Sequence, residues 1–109
     1  MRFAKYTAVI FLALGVSFGA SAQEATLSVT IKNKHFSPST LNAPAKKPIK
    51  ITVHNADPVA AEFESRTLRV EKVVPPGGTV VINVKPLAPG NYGFFDDFNQ
   101  SNQGVLIAK

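Results

Sequence analysis

The chain has 109 residues, 12 Lys and Arg against 7 Asp and Glu, and no Cys. The missing Cys excludes a disulfide framework and any thiolate-held metal, and the formal +5 comes without the basic-aromatic motif that would point to nucleic acid. Eight prolines and seven glycines leave no room for a helical apolar stripe longer than a turn or two, so the chain reads as all-β.

The first residues read as an address. Arg2 and Lys5 precede an apolar stretch from Tyr6 to Phe18, and Ala20-Ser21-Ala22 forms an A-x-A cleavage site. The stretch is too short for a membrane span. The expected organisation is a signal peptide over 1–22 and one exported, periplasmic domain over 23–109, with no membrane span in the mature chain. Removing Arg2 and Lys5 leaves +3 on that domain. The remaining positives, Lys32, Lys34, Lys46, Lys47 and Lys50 among them, are scattered as on a solvated surface.

Ala25 to Ile31 alternates, with Leu27, Val29 and Ile31 on one face, as a half-buried strand does. His35-Phe36-Ser37-Pro38 turns the chain and Leu41 begins a short extended piece. Ile49 to His54 alternates again, and Asn55-Ala56-Asp57-Pro58 is a strong turn signal. Glu62 to Ser65 is extended; Leu68 to Val74 holds a turn and then a strand. Pro75-Pro76-Gly77-Gly78 breaks the chain before the Thr79 to Val84 strand. Pro86 to Gly90 turns into Asn91 to Phe95, a polar loop follows, and Val105 to Lys109 closes the chain. Roughly seven strands at this spacing predict an antiparallel Greek-key sandwich.

Candidate chemistry is carboxylate chemistry. Asp96 and Asp97 sit on a loop between Phe95 and Phe98 and offer oxygen ligands to a hard cation such as iron or manganese, or cap turns and face water. Glu62 and Glu64 lie two apart on an extended segment, so both project from one face while Phe63 points into the core. If that face meets the Asp96 loop, an acidic cluster forms whose members raise one another's pKa unless a cation binds. Arg66, Arg69 and Lys72 offer the alternative of ion pairing. Glu71, followed at once by Lys72, is a ligand if unpaired and structural if paired. His35 can supplement a carboxylate site; His54 reads as surface. No nucleophile constellation and no phosphate loop are present.

The landmarks His35-Phe36-Ser37-Pro38, Val53-His54-Asn55-x-Asp57 and PGNYGFF with its closing Gly104 together resemble the cupredoxin fold over the whole mature chain. The segment Glu62-Phe63-Glu64-Ser65, then Glu71-Lys72-Val73-Val74, then Phe94-Phe95-Asp96-Asp97-Phe98, is more specific. It is similar to the cupredoxin-like domain of EfeO-type and ferrous-permease-associated iron-uptake proteins, in which type 1 copper ligands are usually absent. By that resemblance the thiolate position falls on Asp96, the second His position on Asn99, and the first on Ala61 or Glu62. No blue-copper centre is therefore expected. The resemblance implies a metal-handling component of a high-affinity iron uptake system, binding iron or copper through Asp96, Glu62, Glu64, Asp97, His35 and Glu71. Its partner would be an iron permease or a periplasmic metal-binding protein. The alternative is a metal-free interaction module that docks through its loop end. A ferrous-iron oxidase ranks last, because one carboxylate site gives electrons no onward acceptor.

Overall fold

The computed structural model describes residues 23–109; the expected signal peptide lies outside the described residues. Nine strands run in order: β1 (Ala25–Lys32), β2 (His35–Ser37), β3 (Thr40–Ala43), β4 (Ile49–Asn55), β5 (Ala61–Ser65), β6 (Val70–Val74), β7 (Thr79–Val84), β8 (Gly90–Asp96) and β9 (Asn99–Ala108). They form a four-stranded sheet ordered β2-β1-β4-β7 and a five-stranded sheet ordered β3-β9-β8-β5-β6. The all-β reading holds, with two differences. Short β2 and β3 raise the strand count, and the pairs β1–β4 and β3–β9 run parallel within otherwise antiparallel sheets.

Period-2 alternation explains the core. On β4, Ile49, Ile51, Val53 and Asn55 are buried while Lys50, Thr52 and His54 are half-buried on the outer face. Val29 and Ile31 of β1 and Ile82 and Val84 of β7 line the same inner face. From the other sheet come Phe63, Phe94 and Leu106, each at most 1% exposed. Phe36 of β2 stands edge-on to Phe63 and Phe94, with centroids 5.9 and 5.0 Å away, and those two stack at 4.8 Å. This aromatic trio joins the two sheets.

The turns are built from local chemistry. In Pro75-Pro76-Gly77-Gly78 the Gly78 amide donates to the Pro75 carbonyl at 2.9 Å, and Gly77 takes the φ of 68° that a type II turn requires at its third position. Asn33 and Lys34, both at positive φ, make the two-residue link between β1 and β2. Their amides are bound by the Asp57 carboxylate at 2.7 and 2.8 Å. The buried Asn55 side chain in turn accepts from the Asp57 amide and donates to the carbonyls of Val59 and Val74. The Asn55-x-Asp57 signal thus ties both sheets together at the loop end of the sandwich.

A candidate carboxylate metal site

The two strands that carry the acids are neighbours. β5 pairs antiparallel with β6, which sets Glu64 directly opposite Glu71 and Glu62 opposite Val73. On its other side β5 meets β8, with Phe63 opposite Asp96 and Glu64 opposite Phe95. Because Phe63 points into the core, Glu62 and Glu64 rise from the outer face of the sheet. The β8–β9 connection is only two residues, Asp97 and Phe98, since Asp96 and Asn99 already pair. This tight turn brings Asp97 over the same face.

One carboxylate oxygen each from Glu62, Glu64 and Asp97 lies within 4.8 Å of the other two. Glu62 is 8% exposed, Glu64 and Asp97 half-buried, and Glu71 exposed at the margin. The Glu62 carboxyl is pushed up to about 7, first by its removal from water. The Glu71 charge, hydrogen bonds shared with Asp97 and Glu71, and the Asp97 charge push it the same way. Like charges held this close oppose one another's ionisation unless a counter-ion is present.

Among the described residues no basic side chain supplies one. Lys50 and Glu24 make the one ion pair among the described residues, at 3.8 Å, on the other sheet. Arg66 lies over the Phe95 ring, 5.1 Å from its centroid, and neither Arg69 nor Lys72 pairs with an acid. Asp97 accepts a hydrogen bond from the Gln100 side-chain Nε2 at 2.8 Å. Among the described residues the hydrogen bonds of the Glu62 carboxyl are shared with the acids Asp97 and Glu71, in a residue that is 8% exposed.

Three expected ligands are not brought into the cluster: Glu71, exposed at its margin, His35 and Asp96. His35 is exposed on β2, in the opposite sheet and opposite Lys32. Asp96 is 4% exposed, and its Oδ1 accepts from the backbone amides of Glu62 at 2.9 Å and Phe98 at 3.0 Å. It also borders a loop-end pocket of about 260 Å³ shared with Lys34, Asp57, Ala61 and Asn99. His54 bonds Thr79 on the outer face of the first sheet, away from the acids. Three side chains that organise this end, Asn55, Asp57 and Asn102, read in sequence only as turn or loop residues. Asn102 Oδ1 accepts from the Phe36 amide at 3.0 Å, joining β9 to β2 across 66 residues, a contact no local pattern announces.

Comparison with known proteins accords with this architecture. The sequence matches the family model of the cupredoxin-like domain over residues 5–108. It is 40% identical over 82 residues to an uncharacterized protein of Rickettsia prowazekii (strain Madrid E), a match covering 74% of this chain and 66% of that protein. The chain thus spans just under two thirds of that relative's length. Among solved structures it resembles auracyanin A, a "blue" copper protein from Chloroflexus aurantiacus, at 13% identity and a TM-score of 0.68, covering 80% of this chain and 100% of that one. It also resembles the metal-binding domain of the Streptococcus pneumoniae Cu(I)-exporting P-type ATPase CopA, at 16% identity and a TM-score of 0.64, covering 83% and 99%. At these identities the structural likeness concerns the fold.

Proposed function

The chain belongs to the cupredoxin-like domain family, and from that premise we propose that it is an exported member that handles a hard metal cation through carboxylates. A blue-copper centre does not fit these residues: the chain has no Cys, and the positions that the resemblance assigns to copper ligands hold Ala61 or Glu62, Asp96 and Asn99. The acids that remain select differently. Oxygen donors suit iron and manganese, whereas sulfur and imidazole suit copper(I) and zinc. The observation that carries the reading is a buried Glu62 facing Glu64 and Asp97 with no cationic partner among the described residues. A bound cation would take the place of the proton that burial and its neighbours force onto Glu62.

The resemblance of these motifs to those of iron-uptake proteins supports iron as the cargo. It also supports a permease or a periplasmic metal-binding protein as the partner that receives it. Anaerobic titration calorimetry with Fe(II) tests the site. The parent should bind, Asp97→Asn and Glu62→Gln should bind more weakly, and binding should strengthen as the pH rises through about 7, where Glu62 loses its proton. Equal affinities for parent and variants, or no binding by the parent, would overturn the reading. One observation favours the alternative of a metal-free docking module. Val59 and Phe98, 50% and 57% exposed, both border the loop-end pocket, as side chains awaiting a partner surface would.

A further inference from the structure

We propose that Asp96 is the positioning residue of the carboxylate site, holding Asp97 beside Glu62 through the backbone rather than ligating the cation itself. The inference rests on the cation-binding reading above. Strand alternation turns Phe94 and Asp96 inward, so the Asp96 carboxylate ends up on the side of the sheet opposite the acidic cluster. There its Oδ1 accepts two amides from separate segments, Glu62 of β5 at 2.9 Å and Phe98 of the β8–β9 turn at 3.0 Å. A third bond closes the junction, from the Asp97 amide to the Glu62 carbonyl at 3.0 Å. One oxygen therefore fixes the spacing between a strand and a turn whose bracketing residues lie 34 positions apart.

The geometry has a direct consequence for the site. Glu62 and Asp97 are the two residues whose main chains are tied together here, and they are also two of the three whose carboxylates converge. The β5–β8 register ends at the Phe63–Asp96 pair, so the next β5 amide, that of Glu62, is taken by the Asp96 side chain, at the place where the β8–β9 register also shifts. A carboxylate makes strong bonds to amide donors, but an Asn side chain presents an oxygen at the same place. A bracket should therefore tolerate Asp96→Asn, whereas a ligand should not.

The experiment pairs Mn(II) titration with amide hydrogen exchange on the parent, Asp96→Asn, Asp96→Ala and Asp97→Asn. In Asp96→Asn, exchange protection of the Glu62 and Phe98 amides and Mn(II) affinity should both stay at the parent's level. In Asp96→Ala both amides should lose protection, and affinity should fall about 10–100-fold, as when other supports of metal ligands are removed. Asp97→Asn should lose affinity with both amides still protected. Should Asp96→Asn lose affinity as Asp97→Asn does, with the amides protected, Asp96 would be a ligand and the inference would fall. It would also fall if Asp96→Ala kept both protection and affinity. If Asp96→Ala does not fold, the Asn variant alone still separates bracket from ligand. A parent that binds no Mn(II) or Fe(II) would instead remove the cation reading, and the exchange of the two amides would then decide whether Asp96 sets the junction.

Discussion

Glu62 is the residue in which fold and site conflict most openly. Its backbone sits mid-junction, its side chain is almost wholly buried, and it faces acids. In the unfolded chain its carboxyl titrates near the ordinary value of 4.5; in the folded protein it does so near 7. Folding therefore favours the protonated form. The resulting contribution to stability is complete below about 4.5 and is lost as the pH rises through about 7. Metal-free parent protein should accordingly lose melting temperature over that interval, relative to Glu62→Gln, which cannot ionise. Thermal melts from pH 4 to 8 in a chelator check this, and parallel curves for the two proteins would contradict it. Gly104 makes a different demand at the same scale. A Cβ there would collide with the Phe94 ring and stand 2.8 Å from the Ser39 carbonyl oxygen, so Gly104→Ala must displace a core aromatic or backbone. It should cost about 1–3 kcal/mol in denaturant unfolding, the usual range for overpacking. An unchanged midpoint would mean that the Phe94 ring is not held against β9.

Among the elements, those with strict alternation were legible and those held by distant partners were not. The buried face of Ile49, Ile51 and Val53, and the opposed facing of Phe63 against Glu62 and Glu64, follow from period 2 alone. The polar run Asn99 to Gln103 reads as loop in sequence, yet it begins β9, because β8 pairs with Asn99 across a two-residue turn and again with Gln103 after a register shift. Parallel pairing of β1 with β4 and of β3 with β9 has no local signature either. The candidate site divides the same way. Convergence of Glu62, Glu64 and Asp97 follows from alternation plus a short turn, but the opposite facing of Asp96 and Asp97 needed the register of β8. Asp57 shows what a long-range polar contact adds to an element. Removing its carboxylate in Asp57→Ala would leave the amides of Asn33 and Lys34 without partners at a half-buried hairpin. About 1–3 kcal/mol of stability should be lost. Amide exchange should accelerate at Asn33 and Lys34 while the β4–β7 ladder stays protected; uniform acceleration would show that the bracket supports the whole sandwich instead.

For the molecule as a whole, burial has to do what no disulfide does. Among the described residues there is no helix long and apolar enough to cross a membrane, and the strands close over one core into which both sheets send their side chains. The Phe36–Phe63–Phe94 trio lies at its centre, and Phe63 occupies a special place within it. The residue backs the acidic face directly, since its two chain neighbours are Glu62 and Glu64. Phe63→Ala removes a fully buried ring that touches both other aromatics, a change that costs about 3–5 kcal/mol in comparable cores. For a domain of this size that is a large share of the roughly 5–15 kcal/mol that separates folded from unfolded. Urea unfolding of parent and variant measures it. Phe63→Leu, which keeps much of the volume, should recover a good part of the loss. The carboxylates lie on the other side of the sheet, so at a temperature where both proteins remain folded, Phe63→Leu should bind Fe(II) as the parent does. A variant that kept full stability would show that the ring is not held in the core, and the outward facing of Glu62 and Glu64 would lose its structural basis.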